Sequence, residues 1–141
     1  MEDDKFKFGK MIKALQDAKV TLPSKLAQTG QLYFQQNFDR QQWDGVKWAP
    51  RKSEFTYQNH KKVKNTKHLL VRTGALRQSL QDSVREMSYE KIVWGTDIPY
   101  AKYQNFGTDT IPQREFMGES KELNAKFKDK ITKAFDRIMK P

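Results

Sequence analysis

Leu123, Phe127, Ile131, Ala134, Phe135 and Ile138 follow one another at steps of four, four, three, one and three residues, with Lys, Asp and Arg between them. That spacing gathers the apolar side chains on one face of an α-helix and leaves charge on the others. The C-terminal segment therefore predicts a long amphipathic helix, with Gly118 before its start and Pro141 at its end. The beginning of the chain carries the same signature in Phe8, Met11, Ile12, Leu15, Ala18 and Leu22. A fold framed by two such helices has to bury both stripes against whatever lies between them.

After the first stripe the chain predicts a second helix, with Thr21 as its cap and Pro23 in its first turn, where a missing N–H costs little. Leu26, Tyr33, Phe34 and Phe38 fall on or near one side of it, and Gly30 weakens it by about 1 kcal/mol relative to Ala. Helix fails at QQWDGVKWAPR: Asp44-Gly45 is a turn pair and Pro50 disfavours a helical Ala49. Trp43 and Trp48 bracket the turn, and at least one is expected to anchor the core. Further on, Thr73 reads as the N-cap of a short helix bearing Ala75, Leu76 and Leu80. Val84 to Tyr89 and Ile92 to Trp94 read as a β-hairpin that turns near Tyr89-Glu90. The expected class is α+β: one domain over 1–141, with a small antiparallel sheet packed by helices, long helices at both termini and a long basic loop.

The net charge is +10, and it is not spread evenly. Between Arg51 and Arg72, seven basic residues face Glu54 alone, giving +6. Little apolar periodicity accompanies them, so 51–68 reads as a mobile loop. Such a field favours acidic partners, nucleic acid first among them. Lys61, Lys62, Lys64, Lys67 and Arg72 are the candidate contacts for DNA or an acidic partner. There is no cysteine, hence no disulfide, no thiolate nucleophile and no Cys-based zinc site. The first ten residues carry three acidic and three lysine side chains and no apolar run of a signal peptide. No stretch approaches the ~20 apolar residues of a membrane span, which predicts a cytoplasm-like compartment and no membrane partner.

Catalytic patterns are missing. The sequence contains no phosphate-cradling glycine loop, no G-x-S-x-G elbow and no H-E-x-x-H. His60 and His68 sit among lysines that oppose a bound cation. Asp82, Glu86 and Glu90 recur at four-residue spacing, but in a strand-like pattern that turns alternate residues the same way. No cofactor and no catalytic residue is expected.

Three segments in series carry a resemblance: LLVRTGALRQSL (69–80), IVWGTDIPYAKYQNFGT (92–108) and IPQREFMGES (111–120). Together with the upstream FDRQQWDGVKWAPR they resemble the phage virion morphogenesis, or tail-completion, family of Mu-like phages, and more loosely the neck-component family of long-tailed phages. One departure is the residue before Phe106-Gly107: relatives often carry His there, and this chain has Asn105. The resemblance implies a non-enzymatic structural protein that completes the tail or joins it to the head. It also implies a homo-oligomer in the virion neck or tail, assembled in the host cytoplasm beside head-connector and tail-terminator or tube proteins.

The residues themselves suggest how such a motif is built. Thr73-Gly74 and Gly95-Thr96 are turn chemistry, and Leu76 anchors the short helix. Pro99 can begin another short helix bearing Tyr100, which Phe106-Gly107 ends with a left-handed C-cap. Pro112 then starts an extended segment in which Phe116 faces inward, and Tyr100 and Phe106 are expected to pack likewise. Arg114 is the candidate subunit-interface residue, placed to pair with a neighbour's carboxylate. The alternative function is a small basic nucleic-acid-binding protein.

Overall fold

The computed structural model describes residues 2–51, 55–64, 69–70 and 74–140, with side chains for 7–51, 58–64, 69–70 and 74–140. Among the described residues four α-helices, α1 (Glu2–Arg40), α2 (Ala75–Ser79), α3 (Ala101–Phe106) and α4 (Lys121–Met139), accompany three antiparallel hairpins. The hairpins pair β1 (Gln42–Trp43) with β2 (Val46–Lys47), β3 (Phe55–Gln58) with β4 (Lys61–Lys64), and β5 (Val84–Met87) with β6 (Ile92–Trp94). The class is α+β as expected. The strands, however, form separate two-stranded ribbons, and at two to four residues each they offer little edge for a third strand.

Two expectations are corrected. The N-terminal region is one helix of 39 residues with Pro23 inside it, not two helices. Thr21 does not cap a new start: its hydroxyl donates back to the Asp17 carbonyl at 3.1 Å, one turn earlier. An internal proline costs about 3 kcal/mol, and the burial of the Pro23 ring offsets part of it. In addition, residues 55–64, expected as loop, are the β3–β4 ribbon. Its two-residue turn, Asn59-His60, holds both residues at positive φ, 49° and 64°, as a type I′ turn requires. The same turn closes β1–β2 through Asp44-Gly45, φ 49° and 82°.

The chain divides into two compact units, each built from segments distant in sequence. The first comprises Met1–Tyr33, Ser83–Gly95 and Glu119–Pro141: most of α1, the β5–β6 ribbon and α4. Ala27, Tyr33, Leu123 and Ile138 are buried in it. Trp94 stacks on Phe127, ring centroids 6.1 Å apart, and donates its indole N–H to the Ala27 carbonyl at 3.1 Å. Ser120 caps α4 by accepting from the Leu123 N–H at 3.2 Å.

The second unit comprises Phe34–Asp82 and Thr96–Gly118. Its core is aromatic: Phe34 stacks on Trp43 at 6.1 Å, while Phe38 meets Trp48 edge-on at 5.6 Å and Phe116 at 5.4 Å. Leu76 and Leu80, from α2 and the 3₁₀ turn after it, are buried with them. Each such side chain contributes roughly 1.5–3 kcal/mol on burial. Both tryptophans are therefore core anchors, and the indole N–H of Trp48 finds the Glu115 carbonyl at 2.8 Å.

Candidate interaction surfaces

Among the described residues no group of three or more His, Asp or Glu could hold a metal ion. Glu86 is ion-paired with Lys91 at 3.2 Å on the exposed β5–β6 ribbon. His60 stands at the β3–β4 turn, and His68 lies outside the described residues. The described residues present three kinds of surface.

The first is basic. Lys61, Lys62 and Lys64 are all exposed on β4. Strand alternation places Lys62 and Lys64 on one face of the ribbon and Lys61 on the other. Lys67 and Arg72, grouped with them by sequence, lie outside the described residues. The hairpin does leave a trace in the sequence: F-T-Y-Q alternates, and Asn59 is among the few residues that tolerate positive φ.

The second surface is the motif at 99–118. Asn105 organises it from the interior. Its side-chain oxygen accepts from the Phe116 and Met117 N–H groups at 2.9 and 3.1 Å, and its amide donates to the Met117 carbonyl at 2.9 Å. The Arg114 N–H donates to the Gln104 carbonyl at 2.8 Å, so α3 and the extended segment are stitched along their length. Gly107 ends α3 at φ 74°, ψ 171°, positive φ but not the left-handed helical cap expected. A Cβ there would meet the Gln113 N at 2.9 Å, so close backbone approach adds to the need for glycine.

Packing takes only part of the motif's aromatics. Phe116 is 1% exposed, as expected, but Phe106 is 71% and Tyr100 45% exposed. The correction has a simple cause: in a six-residue helix one face is used up by buried Ala101 and Asn105, which turns Tyr100, Tyr103 and Phe106 outward. Pro99, Phe106 and Met117 border a shallow cleft of about 340 Å³. Gly74 precedes α2 at φ 78° without a side-chain cap, Leu76 is buried, and Gly95 passes the Arg85 side chain. Thr73, expected as the cap, lies outside the described residues.

Arg114 is occupied within its own unit. Its Nε and Nη2 donate to the Ala49 and Pro50 carbonyls at 3.0 and 3.2 Å, pinning the segment after Trp48 beside half-buried Pro112 and Glu115. Burial, and then the charge of Arg51, pull the Arg114 guanidinium below its ordinary value. Burial, and then Asp44, push the Glu115 carboxyl above its own.

The third surface is apolar and lies in the first unit. Leu15, Leu22 and Leu26 of α1, Ile92 and Trp94 of β6, and Phe127 and Phe135 of α4 line an open cleft of about 690 Å³. Around it Tyr89, Phe135 and Leu15 are exposed, and along α1 so are Val20, Phe8 and Ile12. The apolar stripes that periodicity marks are thus only partly covered. Val20, 77% exposed, stands outside the stripe altogether.

The sequence matches the phage virion morphogenesis family over residues 7–136. No curated protein and no solved structure matches the chain. Among the described residues no helix is long and apolar enough to cross a membrane.

Proposed function

The chain belongs to the phage virion morphogenesis family, and from that premise we propose that it is a non-enzymatic assembly protein that completes the tail or joins it to the head. It works in the virion neck or tail as a homo-oligomer, closed into a ring by head-to-tail contacts, against head-connector and tail-terminator or tube proteins.

The observation that carries the reading is the apolar cleft of the first unit. Globular chains rarely leave contiguous apolar surface uncovered unless it binds something, and here a chain of net charge +10 exposes Leu15, Tyr89 and Phe135 around one opening. A second copy is the occupant that fits: the exposed α1 residues Phe8 and Ile12 supply an apolar helical face of the kind the cleft accepts. A head-to-tail contact of that sort forms a ring when its rotation divides a full turn.

The test is genetic. The gene is deleted from the phage that carries it, and wild-type or Phe135→Glu protein is supplied from a plasmid. Wild type restores head-joined tails seen by electron microscopy, whereas Phe135→Glu, a change at a side chain 50% exposed, restores few or none while its circular dichroism and melting temperature stay those of wild type. Normal joined particles without any copy of the gene would sink the assembly reading. Full rescue by Phe135→Glu would remove the cleft from it.

A further inference from the structure

We propose that the β3–β4 ribbon is a sequence-independent binding element for duplex DNA. The inference is independent of the assembly reading and rests on a different unit of the molecule. Residues 55–64 contain three lysines and no carboxylate, and Lys61, Lys62 and Lys64 are exposed. The contrast with α4 is instructive. That helix is also lysine-rich, but Glu122, Asp129 and Asp136 are interspersed along it, and Lys133 is held by Asp129 at 2.9 Å. The ribbon carries no acidic residue of its own to offset its charge in the same way.

Shape selects duplex over a flat acidic protein surface. The register places lysines on both faces of the ribbon, so a flat partner meets only part of the charge. A groove walled by two phosphate backbones meets both faces at once. A two-stranded ribbon fits the major groove, which is about 12 Å wide and 8.5 Å deep. Four residues per strand extend about 13 Å, enough to reach into it. The type I′ turn at Asn59-His60 ends the ribbon without a bulky loop, so its tip stays narrow. Lysine contacts of this kind go to phosphates and carry no sequence information.

The experiment measures binding of the full chain to a fluorescein-labelled duplex of random sequence by anisotropy, between about 50 and 200 mM salt. Changing Lys61, Lys62 and Lys64 together to Gln is expected to weaken binding at least tenfold at the lower salt. The slope of log K against log salt should fall by about 0.9 for each lysine removed. A charge-matched triple on α4, Lys121, Lys128 and Lys130 to Gln, is expected to lose less than threefold. Arg at the three ribbon positions is expected to retain binding, which keeps the test decisive if the Gln variant proves unstable in a thermal melt. Equal losses in the two Gln triples would reduce the effect to bulk charge and overturn the proposal. So would equal or tighter binding of a single strand of the same length, or displacement of the duplex by poly-glutamate at matched charge.

Discussion

The indole of Trp94 lies directly on the backbone of α1 at Gly30: a Cβ built on that glycine would stand 2.5 Å from Cζ2 of the ring. The ring cannot retreat freely, because it is stacked on Phe127 and bonded to the Ala27 carbonyl. Gly30 is therefore a contact surface, although in sequence it reads as a flaw in the helix.

Gly30→Ala is expected to destabilise the chain by about 1–3 kcal/mol through overpacking, despite the helix propensity that alanine adds. Gly9 provides the control. It sits in the same helix, and a Cβ added there would meet nothing within 4 Å, so Gly9→Ala should stabilise by up to about 1 kcal/mol. Urea unfolding of both variants reads the difference, and equal shifts of the same sign would refute the Trp94 contact.

Asn105→Ala should cost about 3 kcal/mol. It strips the acceptor from two backbone N–H groups, those of Phe116 and Met117, and each buried donor left unmet costs roughly 1–3 kcal/mol. Asn105→Asp keeps the acceptor but loses the amide that donates to the Met117 carbonyl, and puts a charge in a buried site. Chemical denaturation should rank wild type above both. An alanine variant within a few tenths of a kcal/mol of wild type would mean that the α3 stitch is not needed.

Gly30 and Asn105 show how far the sequence speaks for the fold and where it stops. Periodicity locates α4, and β propensity with a turn locates β5–β6, because both signals are local and repeated. The sequence divides α1 in two because Pro23 and Thr21 carry the chemistry of a helix start; only tertiary burial of Pro23 decides otherwise. The β3–β4 ribbon looks like loop in sequence because lysines mask its alternation. Residue type alone sends Phe106 and Tyr100 to the core, yet orientation on a six-residue helix decides their exposure. The apolar cleft is illegible for the same reason: a stripe states which residues share a face, not how much of that face the rest of the chain covers.

Stability should depend on Glu115. Its carboxyl is raised in the folded chain by burial and then by Asp44, so the native state holds this proton more tightly than the unfolded state does. The slope of unfolding free energy with pH is then negative across the interval between the two values. The contribution is fully present below the ordinary glutamate value and is lost as pH rises through the raised one. Glu115→Gln, which stays neutral, is accordingly expected to melt higher than wild type near pH 7 and to lose that advantage below about pH 4. A difference in melting temperature that does not change with pH would exclude this origin.

Tyr33 and Ser120 form the junction between α1 and the start of α4. The Tyr33 hydroxyl has one proton and donates it to Glu122 Oε2 at 3.0 Å, so its 2.8 Å contact with Ser120 Oγ is one in which the serine donates. Ser120 Oγ in turn accepts from the Leu123 N–H. Ser120→Ala thus removes the helix cap, worth about 1 kcal/mol, together with the donor to Tyr33. Tyr33→Phe removes the serine's acceptor and the donor to Glu122, at about 1–2 kcal/mol. Because both substitutions break the same 2.8 Å bond, the double variant should lose less than the sum of the singles, by at least about 0.5 kcal/mol. Strict additivity in a double-mutant cycle would show that the cap and the tyrosine act separately.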